Sequence, residues 1–144
     1  MSKYLLTRTG DRPLAFEGEL LATASSEGIP GKSPRGVAQA DEVRWHIITL
    51  YRLAQSEGIV VAVSYHTEWS TETGHDAVEI CSTLESTTSW LRTYDPLAWF
   101  IGPPPGGPGS SQEQRQMRLR KDLKLRYENL ISDVLACLEP ERVE

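Results

Sequence analysis

The sequence predicts an α+β protein: an antiparallel four-stranded sheet in ββββα order, then a Pro/Gly hinge and a long C-terminal amphipathic helix. Three observations carry this. Two runs rich in β-branched and aromatic residues, VRWHIITLYRL (43–53) and GIVVAVSYHTEW (58–69), flank a short polar break, as the arms of a hairpin do. GPPPGGPGSS (102–111) interrupts regular structure, because adjacent prolines extend the chain and glycines loosen it. From about Gln112 to Leu138, Leu123, Tyr127, Leu130, Ile131, Val134, Leu135 and Leu138 recur at helical spacing on one stripe.

At 144 residues the chain suits one domain that buries roughly 70% of its unfolded surface. Within it, residues 1–101 are read as sheet plus helix, 102–111 as hinge, and 112–144 as a helix packing on the same or a partner subunit. Hydrophobic residues at 39% and charged residues at 24% fit a globular rather than a disordered chain. No stretch approaches the ~20 apolar residues that span a bilayer, and the N-terminus lacks the apolar core of a secretory signal. Two cysteines, Cys81 and Cys137, make neither a disulfide framework nor a metal spacing, so a reducing cytoplasmic setting without metal or cofactor is expected.

Taken in order, residues 1–12 read as a loose lead-in. LAFEGELLAT (14–23) alternates apolar and polar positions as a half-buried strand does. SSEGIPGKSPRGVAQAD (25–41) is a long loop rich in glycine and proline. The central hairpin follows, with Ser56-Glu57-Gly58 read as a three-residue loop whose glycine takes a left-handed conformation. That register puts Trp45, Ile47, Thr49 and Tyr51 on the core face with Val61, Val63 and Tyr65. It leaves Ile48, Leu50, Val60 and Ala62 as an apolar strip on the opposite face. A solvated sheet face should be more polar, so the C-terminal helix or a second copy of the chain is expected to cover this strip. DAVEICS (76–82) is the fourth strand. Ser82-Thr-Leu-Glu85 then matches a capping box opening a helix to about Arg92, which Asp95-Pro96 ends. LAWFI (97–101) is apolar and unplaced. Ser110-Ser-Gln-Glu113 offers a second capping box for the long helix.

Candidate chemistry is sparse. GIPGKS (28–33) resembles part of a phosphate-binding loop, but Ser26 stands where the first glycine belongs, and Pro34 follows where a helix should begin. In the predicted register His46 lies opposite Glu68 and diagonal to His66. Two imidazoles and a carboxylate could bind zinc or act as an acid–base pair, although isolated strand histidines are more often structural. His75 sits in a turn. There is no Gly-x-Ser-x-Gly elbow.

The strongest partner signal is charge. Residues 42–101 carry three basic against eight acidic groups, whereas six basic residues and one acid lie between Arg115 and Arg126. Arg115, Arg118, Lys121, Lys124 and Arg126 could hold a phosphate backbone, form a solvated face, or dock on the acidic segment. The order of four antiparallel strands then a helix is similar to that of whirly-type dimeric single-strand binders, and that resemblance implies nucleic-acid binding on a basic sheet. Here the sheet segment is acidic, and single-strand binding wants a positive groove. The leading expectation is therefore a non-enzymatic interaction or regulatory module acting as a homodimer. The alternatives are nucleic-acid binding through the helix at 115–126, and a small enzyme or metal protein using His46, His66 and Glu68.

Overall fold

The computed structural model describes residues 2–26, 44–68, 72–101 and 107–138. The Gly-Lys-Ser fragment with most of its loop (27–43), residues 69–71, the first part of the Pro/Gly hinge (102–106) and residues 139–144 lie outside the described residues. The fold is α+β, with a long C-terminal helix as expected, but the sheet has five strands rather than four. These are β1 Ser2–Arg8, β2 Asp11–Ser25, β3 Arg44–Leu53, β4 Ile59–Thr67 and β5 His75–Cys81, paired antiparallel in chain order.

The additional strand is β1, the segment read from sequence as a lead-in. Tyr4 pairs with Phe16 and Leu6 with Leu14, which puts their side chains on one face. Leu5 points the other way and is largely exposed, so an apolar pair hides the period of two. Thr9 and Gly10 make the turn into β2; Gly10 has φ of 80°, a region where a β-carbon is penalised.

β2 is long because it serves two neighbours. Its first half pairs with β1 and its second with β3, with a bulge between Leu20 and Ala22. Bulges bend and twist a strand, and here the sheet curls into a half-barrel. Its two edges meet where the Thr9 amide donates to the Asp76 carbonyl at 2.9 Å and the Asp76 amide donates to Thr9 Oγ1 at 2.8 Å. Inside the curl, Tyr4, Phe16 and Tyr51 pack with ring centroids 4.6–5.4 Å apart.

The β3–β4 register also differs from the expectation. Leu53 donates its amide to the Gly58 carbonyl, so the loop is Ala54–Glu57, four residues rather than three. Gly58 does not take positive φ. A β-carbon there would lie 2.9 Å from Leu53 Cδ1, the end of a flexible side chain that can shift aside. The longer loop pairs His46 with Tyr65, Ile48 with Val63 and Leu50 with Val61. This odd shift turns β3 over relative to β4. His46, Ile48 and Leu50 now face the core beside Val61, Val63 and Tyr65, while Trp45, Ile47, Thr49 and Tyr51 face the other way.

Two helices cover the outer face of the curl. α1 (Leu84–Thr93) is capped by Thr83, whose hydroxyl accepts from the Ser86 amide, while the Ser86 hydroxyl accepts from the Thr83 amide. The capping box is thus one residue later than predicted, with serine in place of glutamate. Thr87 and Thr88 satisfy their hydroxyls on carbonyls one turn back, so a threonine-rich helix is tolerated. α2 (Ser111–Ala136) is capped by Ser110, which accepts from the Glu113 amide, and Glu113 reaches back to accept from the Gly109 amide. Tyr127, Leu130, Ile131 and Val134 of α2 join Ile48, Leu50, Val61, Val63 and Leu91 in the main core. Phe100, from the unplaced LAWFI segment, packs with Tyr65, Leu119 and Leu123 in a second cluster. Among the described residues, no helix is long and apolar enough to cross a membrane.

The tightest backbone approach is at Gly18, where a β-carbon would sit 2.3 Å from the Arg52 carbonyl oxygen across the β2–β3 pair. Neither backbone can yield without loosening the ladder. Gly18→Ala is therefore expected to destabilise the protein by about 1–3 kcal/mol, read as a lower urea midpoint; an unchanged midpoint would show that the pair tolerates the methyl group.

Candidate functional site

The same register that packs the core carries polar groups into it. Arg44, at the start of β3, shares the core face with His46 and is almost fully buried. Its guanidinium grips the Glu72 carboxylate, with Nε at 2.9 and 3.0 Å and a terminal nitrogen at 2.5 Å. The Tyr65 hydroxyl donates to the same carboxylate at 2.5 Å, and the Phe100 ring lies under the guanidinium 4.7 Å away. Burial, followed by its bond to Glu72, pushes the Tyr65 hydroxyl well above the usual tyrosine range, so it stays a donor.

Arg126 of α2 completes this polar seam. It donates to the Arg44 carbonyl at 2.9 Å and the Ser26 carbonyl at 3.4 Å, and its Nε bonds Asp122 at 2.9 Å. Ser26 also bridges to β3, where its hydroxyl accepts from the His46 amide. Arg126 thus ties α2 to the ends of β2 and β3, and it is a structural cation rather than the exposed contact residue expected from sequence. Arg115, Arg118, Lys121 and Lys124 do remain exposed.

His46 lies beneath α2, ringed by Tyr65, Tyr94 and Tyr127 at centroid distances of 5.1–6.4 Å. It is fully buried, and neither ring nitrogen has a hydrogen-bond partner among the described residues. Burial lowers its pKa to about 4. The Pro96 backbone favours the protonated ring and offsets part of this without reaching hydrogen-bonding geometry, while Arg126 and His66 add to the depression. The predicted histidine–glutamate cluster is not assembled. His66 pairs with Trp45 on the opposite face, its ring stacked on the indole at 5.4 Å, and Glu68 lies beyond the end of β4. His75 stacks on Trp99 at 4.2 Å. Among the described residues, no three His, Cys, Asp or Glu side chains are grouped to hold a metal ion.

The apolar strip expected at an interface is also divided. Ile48 and Leu50 are fully buried under the helices, and Val60 is fully buried on the other face, inside the curl. Ala62 lines a small cavity of about 120 Å³ with Leu6, Ser64, Asp76 and Val78.

A larger recess opens where α1 ends and α2 passes. It has a volume of about 370 Å³ and is lined by Arg92, Tyr94, Pro96, Lys124, Tyr127, Glu128, Ile131 and Ser132. Asp95-Pro96 stops α1 and turns the chain outward, leaving Tyr94 against Tyr127 with ring centroids 5.6 Å apart. Burial raises Tyr94 to about 12, with Asp95 and Asp76 adding to the effect, and burial also raises Tyr127. Tyr127 donates to the Leu91 carbonyl at 2.7 Å, whereas the Tyr94 hydroxyl is buried without a partner among the described residues. His46 lies behind these two rings.

Sequence reading missed Arg44, Glu72, Arg92 and Tyr94, and took Tyr127 for a core residue only. Arg44 offered a signal: it shares parity with His46, Ile48 and Leu50, and a charge at a core position asks for a buried partner. Comparison with known proteins finds no matching family model, no matching curated protein and no matching solved structure.

Two consequences are measurable. Arg44→Met leaves the Glu72 carboxylate buried without its cation and is expected to cost about 3–5 kcal/mol in urea denaturation. The double variant Arg44→Met/Glu72→Leu should recover part of that loss, and a single variant as stable as the double would refute the ion-pair account. His46 titrates near 6.5 in the unfolded chain and about 4 in the folded one. Its contribution is therefore full above pH 6.5 and lost as pH falls from 6.5 to about 4, roughly 3 kcal/mol in all. His46→Phe should flatten this part of the stability-against-pH curve between pH 7 and 4.5; parallel curves for the two proteins would exclude it.

Proposed function

We propose that the protein is a non-enzymatic binding module whose working surface is the recess between the end of α1 and α2. The observation that supports this reading is the recess itself. At about 370 Å³ it falls within the ~300–1,000 Å³ common for small-molecule sites, and it combines aromatic and aliphatic walls with a few charged groups at the rim. Its neighbours suit binding better than proton transfer. His46 is neutral at pH 7 and sealed behind tyrosine rings, and the tyrosines are held protonated. Cys81 is buried, and the exposed Cys137 thiol donates to the Asp133 carbonyl at the far end of α2.

The proposal needs no second copy of the chain; of the strip that suggested a homodimer, Ile48, Leu50 and Val60 are buried within the chain and Ala62 is half-buried. Nucleic-acid binding is the second reading. It keeps Arg115, Arg118, Lys121 and Lys124 as exposed cations but loses Arg126 to the fold.

Ser132 is exposed at the recess and can carry a larger side chain without disturbing the core. In a thermal-shift screen of small organic molecules, ligands of the wild type should stabilise it by about 2.7 kcal/mol at a hundredfold excess over Kd. Ser132→Trp, which fills the recess, should lose that response while keeping its own unliganded Tm. A screen in which nothing stabilises the wild type, or in which both proteins respond alike, would remove the recess as the binding surface.

A further inference from the structure

The lining of the recess narrows its occupant to one chemical class. We propose that it takes a small aromatic carboxylate, with the ring against Tyr94 and Pro96 and the carboxylate between Arg92 and Lys124. This rests on the recess being a binding site.

The walls define the body of the ligand. Tyr94 packs on the buried Tyr127 with rings inclined by 39°, and Tyr94 and Pro96, both half-buried, offer the accessible apolar surface of the recess. A flat apolar group can lie against this surface, since aromatic pairs favour offset or tilted contact over a wide range of angles. The rim defines its charge. Arg92 and Lys124 stand against one carboxylate, Glu128, and neither cation forms an ion pair with another described residue. An arginine fork and a lysine are donors without acceptors, so a carboxylate supplies what both lack. Glu128 opposes an anionic ligand, but the two cations outnumber it.

The position of the recess argues for one negative charge rather than two. Arg92 and Tyr94 stand at the C-terminal end of α1, where the last carbonyls concentrate partial negative charge. No helix N-terminus lines the recess to offer the amides that phosphate sites use. A monoanion is held by two side-chain cations against this background, whereas a phosphate dianion meets it with twice the charge.

The test is calorimetric titration of the full chain with three probes of one shape and different charge: indole-3-acetate, indole-3-acetamide and tryptamine. Inorganic phosphate is the fourth. Indole-3-acetate should bind, the neutral amide should bind about tenfold more weakly, a difference of about 1.4 kcal/mol, and tryptamine and phosphate should bind more weakly still. Lys124→Glu, an exposed substitution, should reverse the order of acetate and tryptamine. Equal affinity for acetate and amide, or preference for tryptamine or phosphate, overturns the carboxylate assignment while leaving the recess as a site. Indifference of indole-3-acetate binding to Ser132→Trp, or no binding of any probe, overturns the recess reading as well.

Discussion

The pairing of His46 with Tyr65, and the register it imposes along β3 and β4, decides nearly everything else in this molecule. A strand has two faces, so an odd shift exchanges its whole set of inward and outward side chains. The four-residue loop Ala54–Glu57 sets that choice. It sends Ile48 and Leu50 under the helices and makes a continuous apolar face with Val61 and Val63, on which Leu130, Ile131 and Val134 of α2 can settle. It also carries Arg44 and His46 inward, creating the polar seam that the rest of the fold must satisfy.

That seam sets the position of α2. Apolar contacts alone would let a long helix slide along a sheet, since one leucine ridge resembles the next. Arg126 removes that freedom by bonding the Ser26 and Arg44 carbonyls at the ends of two strands, and the Arg44–Glu72–Tyr65 group holds those ends in place. Each desolvated charge in the seam has a partner of opposite sign or a set of acceptors, which is the condition under which buried charge is tolerated. His46 is the exception. Burial removes its charge instead, and its aromatic surroundings suit a neutral ring. The recess follows from the same geometry: α1 stops at Asp95-Pro96 before it can cover α2, and the half-buried Tyr94 is left at its wall over the buried Tyr127.

The fold class was readable because it rests on local signals. Alternation within β2, the β-branched and aromatic runs of β3 and β4, the stripe on α2, the hydroxyl caps and Asp95-Pro96 each act within a few residues. β1 was obscured by one outward leucine, Leu5, beside the inward Leu6. The interface strip was an artefact of register: Ile48 and Leu50 belong to one face of the sheet and Val60 and Ala62 to the other. The candidate cluster of His46, His66 and Glu68 dissolved for the same reason. Of the basic helix residues, Arg115, Arg118, Lys121 and Lys124 lie outside as expected. Arg126 does not, because only the docked helix shows which cation meets the strand ends. The recess had no sequence signature at all, since Arg92, Tyr94, Lys124 and Ser132 come from two helices and a turn.

Taken alone, the sequence determined four of the five strands, both helices and where most of them stop, through side-chain periodicity, caps and prolines that act over one or two turns. The tertiary structure decided the loop length at 54–57, and with it which face of β3 is core, which cation is buried and where a recess opens. Those outcomes depend on the energy of packing whole faces together, and a period-two pattern that is apolar on both sides, as in β3 and β4, leaves that choice open until the helices arrive.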